Sequence, residues 1–125
     1  MTTAMKHPEP FGLATVSDNL PEAMRFYTAM YPYEIKEDVF AGIKFFSILK
    51  DSATIVTVFE RTENNPIHGT IPILKVDSVA RQLELLRSLG GNVIIPETTC
   101  PCTDTNFALC ADTEGNQFIL KEPVR

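Results

Sequence analysis

The chain of 125 residues has no tryptophan, only two histidines and only three cysteines. His7 and His68 are too few for a histidine-rich metal site, and each lies near proline or glycine in a segment where a solvated ring is the ordinary state. The cysteines, Cys100, Cys102 and Cys110, are odd in number and crowded together, which argues against an intramolecular disulfide framework and points to reduced thiols. The Cys100-Pro101-Cys102 spacing also falls short of the gap found in structural zinc sites. Positive charge is scarce as well: 11 Lys and Arg stand against 16 Asp and Glu, a net charge of -5, and the cations are scattered. Nucleic acids and anionic membranes reward a concentrated positive field, so neither is expected as a partner. No apolar run approaches the roughly 20 residues of a membrane span, and the first residues lack the pattern of a secretory leader. A cytoplasmic location is the expectation.

What is present fits one globular domain, with 44% hydrophobic residues. A chain of this length buries roughly two-thirds of the surface of its unfolded state and needs no staple. Residues 1–10 read as a tail and 11–125 as the domain. Residues 11–17 form a strand candidate, and Asn19 then opens a helix as N-cap, with Glu22 placed for a capping box and Pro21 in the first turn. Leu20, Ala23, Met24, Tyr27 and Met30 recur on one apolar stripe. Strands are predicted over 33–39, 42–49 and 53–59 from their Ile, Val, Phe and Thr content.

A polar stretch follows at 61–69, and the pattern then repeats. The second unit has a strand over 70–76, a helix opened by Asp77-Ser78 with Val79, Leu83, Leu86 and Leu89 on its stripe, and a Gly90-Gly91 terminator. Strands are predicted over 92–95, 106–111 and 117–121, the last two joined by a turn at 112–116. An offset of 59 carries Asp18 to Asp77, Leu20 to Val79, Met24 to Leu83, Phe26 to Leu85, Tyr27 to Leu86 and Met30 to Leu89, apolar onto apolar in each helix position. An offset of 63 then carries Phe46 to Leu109 and Val56 to Ile119, which implies about four extra residues in the second unit. Two tandem βαβββ modules, about 11–60 and 70–121, in an α+β fold are the economical interpretation.

The segment Val16-Ser-Asp-Asn-Leu-Pro-Glu-Ala-Met-Arg-Phe-Tyr27, the helix entry Val76-Asp77-Ser78, the stretch Leu89-Gly-Gly-Asn-Val93 and the hairpin Asp112-Thr-Glu-Gly-Asn-Gln-Phe-Ile-Leu120 resemble the vicinal oxygen chelate superfamily. That group includes glyoxalase I, extradiol dioxygenases and bleomycin-resistance proteins. The resemblance covers nearly the whole chain beyond residue 10. It implies curved sheets around a cavity, commonly completed by a homodimer, and in the enzymes a divalent metal held by His, Glu or Gln on the first and last strands of each module. Carried over one at a time, those places fall on Gly12 or Phe11, Val56, Ile71 and Ile119, none of which offers a donor atom.

No metal, no cofactor and no catalytic residue is therefore expected. Asp112 and Glu114 read as turn residues, and Glu34, Glu37 and Asp38 as an exposed strand face. With Val56 and Ile119 turned inward, strand alternation brings Phe46, Leu109 and Phe107 to the same face; a shift of one residue substitutes Phe45, Ser47 and Ala108. In the family this chain resembles, the loop carrying Cys102 often borders the cavity. The ligand-binding set is thus Phe46, Val56, Phe107, Leu109, Ile119 and Cys102. The leading expectation is a metal-free protein of the bleomycin-resistance type that sequesters a hydrophobic or aromatic small molecule as a homodimer. The alternatives are a metal-dependent lyase or dioxygenase, and a non-catalytic dimerising domain.

Overall fold

The computed structural model describes residues 9–30, 32–40, 42–51, 53–100 and 105–122. Its elements run β1 (Glu9–Ser17), α1 (Leu20–Met30), β2 (Glu34–Phe40), β3 (Ile43–Lys50), β4 (Ala53–Glu60), β5 (Ile71–Lys75), α2 (Val79–Ser88), β6 (Asn92–Cys100), β7 (Thr105–Ala111) and β8 (Gln117–Lys121). The tandem βαβββ order expected from the sequence is the order observed. No helix among the described residues is long and apolar enough to cross a membrane.

Local chemistry sets the helix ends. The Asn19 side chain accepts from the Glu22 N–H at 3.1 Å, satisfying one of the free donors of the first turn of α1. For α2, Ser78 accepts from the Arg81 N–H at 3.2 Å, and the Glu122 carboxylate reaches back to the Val79 N–H at 3.0 Å. That carboxylate also places negative charge at the positive end of the helix. Gly90, at φ +87°, ends α2, and the Gly91 N–H returns to the Leu86 carbonyl. On each helix the last residue of the expected stripe is exposed: Met30 at 58% and Leu89 at 69% extend past the sheet.

The eight strands of the described residues form one curled sheet in the order β2-β3-β4-β1-β5-β8-β7-β6. Within each module the first and last strands pair in parallel, β1 with β4 and β5 with β8. The antiparallel pair β1 and β5 joins the modules at the centre. β6 extends to Cys100 rather than stopping near 95. It lies at the sheet edge, where Pro96 sacrifices no ladder hydrogen bond and two register shifts absorb the irregularity.

Both helices cover the same, outer face. Leu20 of α1 packs with Phe46, Ile48 and Val58, while Val79 and Leu83 of α2 pack with Val76, Ala108, Cys110 and Leu120. The opposite, inner face carries its own cluster of Ala14, Ile71, Ile73, Leu109 and Ile119, to which the inter-module connector contributes Ile67. Two side chains hold that connector. Asn65 donates to the Glu60 carbonyl and accepts from the Ile67 N–H, both at 2.9 Å. Gln117 of β8 donates to the Pro66 carbonyl at 2.8 Å and accepts from the His68 N–H at 2.9 Å.

Strand pairing corrects the internal alignment. Ala14 of β1 pairs with Thr57, and its counterpart Ile73 of β5 pairs with Ile119, so the counterpart of Ile119 is Thr57 rather than Val56. Ser47, which pairs with Thr57, matches Leu109, which pairs with Ile119. The second module therefore holds three extra residues ahead of its third strand rather than four. A strand reverses every side chain when its register moves by one, so the correction transfers Phe46 and Val56 of the expected site to the other face.

Candidate functional site

The inner face is the one the family resemblance implies for ligand binding. Its floor is the apolar cluster on β1, β5, β7 and β8, with Val16, Phe59, Ile95 and Phe107 packed against it. Above the floor on the first-module side, Ser47 and Thr57 share a buried hydrogen bond of 3.0 Å where the second module has Leu109 and Ile119. Beyond them Phe45 and Phe59 lie with ring centroids 5.3 Å apart.

Of the residues expected to bind a ligand, Phe107, Leu109 and Ile119 lie on this face together. Phe46 and Val56 do not; they face α1, in the cluster of Leu20, Ile48 and Val58. In their place the inner face presents Phe45, Ser47 and Thr57. Phe46 is fully buried, and its ring lies 6.2 Å from that of Tyr27 of α1, so its job is to seat the helix. Cys102 and His7 lie outside the described residues. His68 is exposed, its N–H engaged by Gln117.

Asp112 accepts from the N–H groups of Glu114 and Asn116 and from the Asn116 side chain, all at 2.9 Å, and these bonds hold its carboxyl below the usual range. That is turn chemistry, as the sequence implied. Cys110 is buried against α2, and burial pushes its thiol up to about 11, with Arg87 opposing. A thiol so disfavoured as thiolate is a packing residue.

The places where the family resemblance puts metal ligands can be tested directly. Corrected for register they are Gly12, Thr57, Ile71 and Ile119. Three have no donor, and the Thr57 hydroxyl is already shared with Ser47. Gly12 is closed to replacement, since a Cβ there would stand 2.6 Å from the Ile55 carbonyl oxygen. No group of three or more His, Cys, Asp or Glu capable of holding an ion occurs among the described residues. These side chains do not fit a divalent metal.

A concavity of about 450 Å³ opens beside the start of α1 between Ser17, Asn19, Glu22 and Phe26. It lies on the outer face, and Ser17, Asn19 and Glu22 are already engaged there in capping and in the ion pair to Arg25.

No family model matches the chain, and no curated protein does. Solved structures share its fold at low identity. A hypothetical protein from Bacillus halodurans superposes with a TM-score of 0.74 at 12% identity, covering 96% of this chain and 97% of that one. A methylmalonyl-CoA epimerase variant from Streptomyces coelicolor, in complex with 2-nitronate-propionyl-CoA, gives 0.73 at 14% identity over 95% of this chain and 100% of that one. Methylmalonyl-CoA epimerase from Mycobacterium tuberculosis gives 0.69 at 15% identity, over 100% and 94%. These epimerases belong to the vicinal oxygen chelate superfamily, so the fold expected from the sequence resemblance is the fold these neighbours share.

Proposed function

We propose that this chain is a vicinal oxygen chelate domain that binds an apolar or aromatic small molecule on its inner face without a resident metal. The observation that supports this most is the chemistry at the expected ligand places: Ile71 and Ile119 belong to the apolar floor, Gly12 has no side chain, and the Thr57 hydroxyl is shared with Ser47. Burial of a ligand against Phe107, Leu109 and Ile119 would draw its affinity from apolar area and aromatic contact. A homodimer in the manner of the bleomycin-resistance branch, with Cys102 at the border of the site, completes the reading.

Elemental analysis after incubation with Zn, Ni, Mn and Fe(II), followed by desalting, tests the metal-free part: substoichiometric metal is expected. A thermal-shift screen of aromatic and long-chain ligands tests the binding part, with stabilisation expected at micromolar ligand. A metal-dependent enzyme is the second reading, favoured by the fold shared with the epimerases. Near-stoichiometric metal would put it first.

A further inference from the structure

The two modules share one frame, so a chemical difference between matched inner-face positions marks something the frame does not require. Strand pairing matches Val16 with Lys75, Phe59 with Lys121, Phe45 with Phe107 and Ile43 with Thr105. In the first module these four build an apolar end, with Val16 beside Phe59 and the ring of Phe59 against Phe45. In the second module Lys75 pairs with Lys121, Phe107 lies across from Lys121, and Thr105 follows two residues before Phe107. Leu74 and Leu120 pack under α2, so the next residues along each strand, Lys75 and Lys121, share the inner face with Ile73 and Ile119. Lys121 is 6% exposed and Thr105 4%, while Lys75 is half-buried.

Two like charges on paired positions of strands about 4.8 Å apart repel, and burying an ammonium is costly unless acceptors surround it. The first module demonstrates that Val and Phe fill the same places in the same strand pair. Lys75 also pairs with Glu9 of β1, both lysines and Thr105 already engage groups within the chain, and an incoming anion would share or exchange those contacts. We propose that Lys75, Lys121 and Thr105 form the anion-recognising end of the inner-face site. The ligand is then an apolar small molecule with one carboxylate or phosphate-type head, its body lying over Phe107, Leu109 and Ile119. This rests on the inner face being a ligand site at all.

The test is calorimetric titration of decanoate, decyl phosphate and decanol into the full chain at fixed ionic strength. It uses the wild type, Lys121→Met, Lys75→Met and the exposed control Lys36→Met. At least one anion binds about tenfold tighter than decanol to wild type, as charge-assisted hydrogen bonds imply. The two anions report which head is preferred. Lys121→Met and Lys75→Met abolish the preference and leave decanol binding intact, while Lys36→Met changes nothing. If Lys121→Met does not fold, Lys75→Met decides alone. Equal binding of anions and decanol, or an anion preference that survives in the lysine variants, overturns the anion site and leaves the inner-face reading standing. If none of the three binds, both fall.

Discussion

Replacing Gly12 with alanine is the sharpest test of how this sheet is built. The added methyl would meet the Ile55 carbonyl oxygen at 2.6 Å, the Ile55 carbonyl carbon at 3.1 Å and the Thr54 carbonyl oxygen at 3.1 Å. All three are backbone atoms of β4, so no rotamer change relieves the overlap; β1 and β4 must separate locally. Overpacking of this kind costs about 1–3 kcal/mol, while loss of glycine's freedom in the unfolded chain returns about 0.4–1 kcal/mol. The net destabilisation is about 1–2 kcal/mol, or roughly 4–8 °C in Tm for a domain of this size. Urea unfolding followed by far-UV circular dichroism, with calorimetry for Tm, measures it. Gly12→His should fare worse and gain no metal affinity, although histidine is among the ligand types that the resemblance implies for the first and last strands of each module. Gly115→Ala is the contrasting case, with nothing within 4 Å and only the φ of +89° to oppose it. A Gly12→Ala protein as stable as wild type would refute the close approach and reopen the first-strand place to ligation.

Gln117→Ala removes two hydrogen bonds to the connector and should cost about 1–3 kcal/mol, with faster limited proteolysis within residues 61–69 as the local readout. Cys110, in a Cys100→Ser and Cys102→Ser background, should resist a disulfide-exchange reagent at pH 8 until the protein is unfolded. Its folded pKa of about 11 lies above the ordinary value of 9.0. The stability it lends is therefore complete below pH 9, is lost as pH rises through about 11, and that alkaline slope should vanish in Cys110→Ala. Asp112 is lowered, so its contribution is complete above the ordinary carboxylate range and lost as pH falls through its folded value. Acid titration of Asp112→Asn should lack that step.

Much of the fold was readable because local signals and periodicity agreed. Asn19, Ser78 and Gly90 mark helix ends with their own hydrogen-bonding or backbone preferences, and β8 occupies the predicted residues 117–121. The module repeat was visible in the helices because each buries one stripe. The site was harder. In Ile55-Val-Thr-Val-Phe59 both faces of β4 meet protein, so apolar residues fill successive positions and alternation gives no phase. Matching apolar to apolar then selects Val56 for Ile119, whereas the real counterpart is a polar Thr57 with its hydroxyl tied to Ser47. The same habit hid Lys75 and Lys121, since a lysine in sequence reads as solvent-facing until the pairing shows what surrounds it.

The central position of β1 has a consequence for how the chain assembles. Its two neighbours, β4 and β5, lie some forty and sixty residues further along, and no strand contiguous with it in sequence can pair with it first. The strand that comes earliest in the chain is thus among the last to be satisfied. During synthesis its backbone donors and acceptors wait through β2 and β3, which can already form a hairpin with each other, until residues 53–60 and then 71–75 appear. At about 5–20 residues per second that is an interval of seconds with an open edge, and refolding must close the same long loops before the centre of the sheet exists.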